Sequence, residues 1–208
     1  FFLVERSNPA TLGSIPVADA WLAAFFQAVT ARTAGFNSID IGAMRTASLF
    51  LMLVFMFIGA GPGGTGGGVK VSTFGVTVIA LWATVRGLRE PVLFWRRLPA
   101  DLVARAFFIC LIAFLALNLV AGLLLLTEDR DLLRTLFEAT SAFATVGLSM
   151  GFSGSPLSLA ADFTDAGQVL LCGLMFMGRL GPLTLAVALA GRHHMPRVRY
   201  PEGRVLIG

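Results

Sequence analysis

From Thr46 to Val85 the chain runs about forty residues with one charge, Lys70, and at its centre stands Gly59-Ala-Gly-Pro-Gly-Gly-Thr-Gly-Gly-Gly68. An unbroken helix of that length would reach ~60 Å, about twice the hydrocarbon core of a bilayer. Glycine costs a helix ~1 kcal/mol per residue and interior proline ~3 kcal/mol, so the run must break. One helix is expected to end near Gly59 and another to start near Val69. The first arm, Thr46 to Ile58, would be only ~20 Å long, too short for a crossing. Irregular backbone at membrane depth is tolerated only where protein buries it or where it lines a water-filled path. The run therefore predicts a discontinuous helix beside a conduction path.

Composition supports lipid as the solvent. Hydrophobic residues make up 56% of the chain and charged ones 13%, with mean hydropathy +0.81. Globular chains carry about a quarter charged residues. The net charge of +4 comes from 16 Lys+Arg against 12 Asp+Glu, and every basic residue but Lys70 is Arg. These residues sit beside apolar runs, so they report membrane topology rather than nucleic-acid binding. Arg86, Arg89, Arg96, Arg97 and Arg105 against Glu90 and Asp101 mark 86–105 as a basic, cytoplasmic loop. Arg192, His193, His194, Arg197, Arg199 and Arg204 against Glu202 mark a second cytoplasmic segment, the tail 192–208. Cys110 and Cys172 lie in apolar runs, suggest neither a disulfide framework nor a metal site, and are expected as packed small hydrophobes. The start, Phe-Phe-Leu-Val-Glu-Arg, has no Met and no signal-peptide pattern. It reads as the tail of an earlier apolar segment in a longer polypeptide.

Residues 5–20 are mixed polar with Pro9, Gly13 and Pro16, a loop ending in Asp19 as expected N-cap. Ala20 to Thr30 is apolar but spans only ~16 Å as a helix, so it must be buried or re-entrant. Ala106 to Leu126 is a charge-free span. Glu128-Asp129-Arg130-Asp131 follows on the outer side, and Asp131 can cap a short helix over Leu132 to Ala142. Ala166 to Gly191 is a second span-length run, with Arg179 inside it. Two cytoplasmic ends require an even number of crossings between them. The short helix must then dip in and return on the outer side, giving span, pore helix, loop, span.

The two halves resemble each other. Phe25 to Asn37 aligns without gaps on Phe137 to Ser149, superposing Thr33-Ala34-Gly35 on Thr145-Val146-Gly147. Met56-Phe-Ile-Gly59 aligns on Met175-Phe-Met-Gly178, each followed closely by Gly-Pro, at Gly61-Pro62 and Gly181-Pro182. Anchors in the same order argue for internal duplication. A T-x-G after a short helix has specific physics. Carbonyls turned to one axis can replace a cation's water shell, and glycine permits the backbone angles this needs. The helix C-terminus adds roughly half a negative charge. No acidic residue lies in either T-x-G segment.

The segments Thr-Ala-Arg-Thr-Ala-Gly-Phe-Asn, Phe-Ile-Gly-Ala-Gly-Pro-Gly-Gly-Thr-Gly-Gly-Gly-Val-Lys, Ala-Thr-Val-Gly-Leu-Ser and Gly-Arg-Leu-Gly-Pro-Leu-Thr resemble the Trk/Ktr/HKT superfamily of potassium transporters, closest to Ktr and Trk membrane subunits. The resemblance covers nearly the whole chain. It implies an all-α membrane protein of repeated span–pore helix–span units, with re-entrant selectivity-filter loops and a broken second span. Four such repeats surround one pore in that family. Residues 1–85 look like a partial third repeat, 86–105 a cytoplasmic loop, 106–191 the fourth repeat and 192–208 a cytoplasmic tail. Thr33, Ala34 and Gly35 would form the third filter segment, and Thr145, Val146 and Gly147 the fourth, binding potassium through backbone carbonyls only. Gly59, Gly61, Gly63, Gly64, Thr65, Gly66, Gly67, Gly68 and Lys70 resemble the flexible loop that gates the pore. Arg179 resembles an arginine of the last span that faces that loop. In the family, potassium preference depends on a glycine in every filter segment. The resemblance also implies a homodimer in the cell membrane, the bacterial inner membrane, contacting lipid and carrying a cytoplasmic ring of nucleotide-binding regulatory subunits. It implies no organic cofactor and no nucleic acid.

Alternatives are open at several points. A Walker loop needs Gly-Lys-Ser/Thr in succession, but Val69 separates Gly68 from Lys70, and Val71 precedes Ser72. An arginine inside a span costs roughly 2.5–3.5 kcal/mol on insertion scales, so Arg179 is expected to face a bundle interior or water rather than snorkel. Lys70 can be an inner-face anchor, a pore charge or a partner of the gate. Arg32 can brace the pore loop or face outer water. His193 and His194 read as membrane-surface residues rather than metal ligands. The competing functions are a sodium-permeable or ion-coupled carrier with broken helices and, from another class, a membrane-embedded enzyme or receptor. An enzyme should show clustered titratable groups within the spans, and only Lys70 and Arg179 stand out there.

Overall fold

The structure, a computed structural model, describes residues 1–88, 90–151 and 157–181. Within them the regular elements are helices apart from one small hairpin. In order these are α1 (Phe2–Glu5), α2 (Val17–Thr30), α3 (Thr46–Phe57), α4 (Val71–Val85), β1 (Val92–Leu93), β2 (Arg96–Arg97), α5 (Ala100–Glu128), α6 (Leu132–Phe143), a 3-10 turn (Leu159–Asp162) and α7 (Asp165–Leu180). Arg89, the part of the expected span 166–191 from Pro182 on, and the tail with His193 and His194 lie outside the described residues.

The break in the long apolar run is where glycine and proline demand it. Helix α3 stops at Phe57 and α4 starts at Val71. The two ends are pinched together. Gly59 N–H donates to Val69 O at 2.8 Å, Val69 N–H to Phe57 O at 3.1 Å and Val71 N–H to Ala60 O at 3.2 Å. The glycine-rich stretch is therefore a closed loop on a strand-like neck. At that neck, Gly59 lies so close to the Gly67 carbonyl that a side chain would collide with it.

Helix α5 has 29 residues, about 43 Å of helix, and is the one described helix long and apolar enough to cross a membrane. Only 22% of its apolar window is buried, so it is not the core helix of a water-soluble domain. It begins earlier than the sequence predicts. Pro99 has its φ preset for a helix start, and Asp101 complements the dipole in the first turn. Asp101 and Arg105 thus stand on a helix, and the basic connection ends at Pro99. That connection holds the β1–β2 hairpin, Val92 opposite Arg97 and Leu93 opposite Arg96, with Phe94 and Trp95 at positive φ in the turn.

Three helices form the main core. Ala113, Leu117 and Leu124 of α5 meet Ala139 and Phe143 of α6 and Leu174 of α7. Small residues let these axes approach. At Gly178 of α7 an added Cβ would run into the Phe143 carbonyl of α6. On the other side of α6, Phe137 packs with Met52 and Met56 of α3. Helix α4 lies along α5, and α2 packs mainly on α1.

Asp131 caps α6, its carboxylate accepting from Leu133 N at 3.1 Å and Arg134 N at 3.3 Å. Asp19 does not cap α2. The helix begins two residues earlier, at Val17 after Pro16, and Asp19 lies in its first turn. Proline and the dipole together override the Asp signal. The cysteines also depart from expectation. Cys172 is exposed, because the buried stripe of α7 runs through Gly167, Leu171, Leu174 and Gly178. Cys110 is half-buried, its sulfur 3.5 Å from the Thr77 hydroxyl.

Candidate functional site

The two T-x-G segments leave their helices with the same pattern of backbone hand but different hydrogen bonds. After α2, Ala34 and Gly35 N–H both donate to Thr30 O, and Thr33 and Gly35 adopt φ of 67° and 77°. After α6, Thr145 N–H donates to Ala142 O and Val146 N–H to Ser141 O, with Thr145 and Gly147 at φ of 52° and 89°. Left-handed backbone is ordinary for glycine but an outlier for a β-branched residue. Two threonines held in it at aligned positions are local strain that the surroundings impose. The intervening Ala34 and Val146 keep ordinary φ, so each segment alternates hands.

The segments and the glycine loop meet. Gly35 lies against the Val146 carbonyl, leaving no room for a Cβ. Gly67 N–H donates to Thr145 Oγ1 at 3.1 Å. A Cβ on Gly66 would stand 2.5 Å from Thr33 Oγ1. The loop therefore lies against both threonines. Its inner part, Gly66, Gly67 and Gly68, is buried with Gly59, while Gly61, Gly63, Gly64 and Thr65 are exposed.

Two cations hold this loop. Lys70 Nζ donates to Gly64 O at 3.0 Å and Gly66 O at 2.5 Å. Arg32 Nη1 donates to Ile58 O at 2.7 Å and Gly59 O at 3.0 Å, with the guanidinium over the Phe55 ring. Of the roles open for these residues, both are partners of loop carbonyls, and Arg32 braces the neck. Arg179 stands apart, exposed in the last turn of α7. Among the described residues no hydrogen bond or ion pair joins it to the loop.

Sequence reasoning misses three acidic residues. Glu5 is fully buried. It accepts from Asn8 Nδ2 at 2.8 Å, Thr11 Oγ1 at 2.6 Å and Arg45 N at 2.9 Å. Burial pushes its carboxyl up, but Ser48, Thr11, Asn8 and the Arg45 N–H outweigh that and hold it below the usual carboxylate range. Glu128, ending α5, accepts from Thr164 N at 2.9 Å and Thr164 Oγ1 at 2.6 Å, clamping the start of α7. Glu138 is buried on α6. Its signal is a lone carboxylate in a short helix of apolar and small residues. Among the described residues no cluster of His, Cys, Asp and Glu could hold a metal ion.

The sequence model of the TrkH family, described as cation transport protein, matches residues 1–198. The chain is 43% identical over 208 residues to Ktr system potassium uptake protein B of Vibrio alginolyticus, covering 100% of this chain and 44% of that protein. It is 40% identical over 207 residues to the protein of the same name from Bacillus subtilis, 100% of this chain and 45% of that one. Potassium/sodium uptake protein NtpJ of Enterococcus hirae is 32% identical over 216 residues, with 100% and 46% covered. The crystal structure of the potassium transporter TrkH from Vibrio parahaemolyticus superposes with a TM-score of 0.74 at 24% identity, over 90% of this chain and 40% of that one. The likeness to that solved structure is one of fold. The chain spans less than half the length of the relatives it matches.

Proposed function

Because the chain belongs to the TrkH family of cation transport proteins, we propose that it supplies two of four filter segments of a potassium-conducting pore. The family and these relatives are transporters, not enzymes, and the chain is a membrane protein. The alternative of a membrane-embedded enzyme therefore falls away. In our reading residues 1–85 are a partial third repeat, 106–191 the fourth, and α2 and α6 are re-entrant pore helices. The observation that carries this is the matched, strained backbone at Thr33–Gly35 and Thr145–Gly147, with Gly35 against Val146 O. Backbone that alternates hands turns successive carbonyls to one side. A ring of such carbonyls replaces a potassium ion's hydration shell.

The glycine loop, Gly59 to Gly68, lies directly beside these segments and is the gate in this reading. Lys70 and Arg32 hold it in place by its carbonyls. Arg179 adds a positive barrier on the ion path in this reading. The full protein works as a homodimer in the bacterial inner membrane, with lipid around it and a cytoplasmic ring of nucleotide-binding regulatory subunits. A sodium-permeable pore is the second reading, favoured by the likeness to a potassium/sodium uptake protein.

Uptake by the full-length protein in a potassium-uptake-deficient strain tests both. Growth on low potassium should fail or become sodium-sensitive with Gly35→Ser or Gly147→Ser, and Arg179→Ala should raise flux. Glycine variants that behave as the parent protein would remove the carbonyl filter, and equal sodium and potassium uptake by the parent would favour the second reading.

A further inference from the structure

Behind Thr145–Gly147, on the side of α7, lies a cavity of about 280 Å³. Glu138, Ser141, Thr145, Val146, Gly147 and Ser158 are among the residues that line it. Glu138 is 6% exposed and shares a face of α6 with Ser141 and Ala142, three and four residues on, which line the same cavity. Its Oε1 accepts from the Ser158 hydroxyl and from Ala160 N at 3.2 Å. Ser158 and Ala160 begin the segment that returns to α7. The neighbouring Leu159 N–H donates to Ser149 Oγ at 3.0 Å, and Ser149 follows Gly147 by two residues. These bonds close a bracket. One side runs from α6 to the return segment and the other from the return segment to the Ser149 hydroxyl just past Gly147. The second oxygen, Oε2, is buried and has no hydrogen-bond partner among the described residues.

We propose that Glu138 is a positioning residue for the fourth filter segment. Its carboxylate closes this bracket through Oε1, beside the cavity behind Thr145–Gly147. The proposal rests on the filter reading above. The first half carries no such carboxylate. The gap-free alignment puts Phe26, an exposed residue, opposite Glu138. There the buried Gln27 makes one long contact, accepting from Ser38 N at 3.4 Å. The fourth segment is therefore the one whose carbonyl positions depend on a buried acid.

The test uses the full-length transporter in a potassium-uptake-deficient strain, with surface expression quantified. Glu138→Ala should raise the potassium KM about tenfold and lower potassium-over-sodium preference, with a smaller change in maximal rate, as the loss of hydrogen bonds to a carboxylate predicts. Glu138→Gln keeps an acceptor for Ser158 and Ala160 and should recover most of the affinity. Ser158→Ala should give a weaker shift of the same kind. Wild-type KM and preference in an expressed Glu138→Ala protein would overturn the proposal. If that variant does not reach the membrane, Ser158→Ala decides: an unchanged KM and preference overturns the proposal. Gly147→Ser runs alongside. If it too leaves selectivity untouched, the filter reading itself fails and the proposal with it. If it alters selectivity while the Glu138 and Ser158 variants do not, only the role of Glu138 is lost.

Discussion

Helices α2 and α6 end in the same strained Thr/Gly turn, yet their surroundings differ. In the gap-free alignment Phe25 of α2 stands opposite Phe137 of α6, and one is 68% exposed while the other is 0% exposed. Helix α6 is enclosed by α3, α5 and α7, whereas α2 has the four-residue α1 as its main neighbour, Phe2 stacking on Trp21 at 4.2 Å. The turn geometry therefore does not depend on full enclosure of the helix before it. It follows from local hydrogen bonds to Thr30 and Ser141 and from the contact between the segments. A second likeness hides in the helix starts. The alignment anchored on Met56 and Met175 puts Arg45 opposite Thr164, the cap residues of α3 and α7. The N–H of each is taken by a glutamate that ends an earlier helix, Glu5 in one half and Glu128 in the other.

The sharpest way to break this comparison is at the phenylalanines. Phe137→Ala should destabilise the full-length protein by about 3–5 kcal/mol, read as a lowered melting temperature in detergent. We expect Phe25→Ala to cost nearly as much there, because a helix placed as α3 is against α6 would cover it. A negligible loss at Phe25 would mean that the halves differ in kind.

Next come the glycines of the two T-x-G segments. Gly35→Ala drives a Cβ into the Val146 carbonyl, whereas Gly147→Ala meets open space within this chain and carries only its left-handed backbone. The alanine at Gly147 should cost about 1–2 kcal/mol, and the one at Gly35 roughly 1–3 kcal/mol more. Equal melting shifts for the two variants would show that the contact between the segments does not constrain Gly35.

The smallest effect concerns acid. Glu5, outside the spanning segments, has its carboxyl held below the usual range in the folded state. A depressed folded value gives stability that is present above the unfolded value, about pH 4.3, and is lost as pH falls through the folded one. Acidification below about pH 4 should therefore loosen the tie between α1 and α3, and Glu5→Gln should remove that part of the pH dependence. A melting-against-pH curve unchanged by Glu5→Gln would discard the tie.

Much of the fold is legible from local signals. Glycine and proline break a helix wherever they fall, so the interruption between Phe57 and Val71 needs only the chain itself. Asp131 caps α6 because its side chain reaches N–H groups two and three residues on. The length of α5 follows from its apolar run, although Pro99 extends it further back than its charges suggest. What escapes is long-range. Gly67 and Thr145 meet across 78 positions and Arg32 reaches Ile58 across 26, and neither contact leaves a periodic mark. The order and spacing of the T-x-G motifs reveal the candidate site. The buried Glu138 is hidden because a lone acid in an apolar helix carries no motif.

The hydrogen bond from Gly67 to Thr145 makes the loop and the second T-x-G segment a single thermodynamic unit. Any displacement of the loop frees a threonine oxygen at the edge of that segment. Any ligand that claims the oxygen first weakens the loop's hold by the same free energy, since coupling between two sites is reciprocal. Occupancy on one side and mobility on the other are then one equilibrium, measurable from either end.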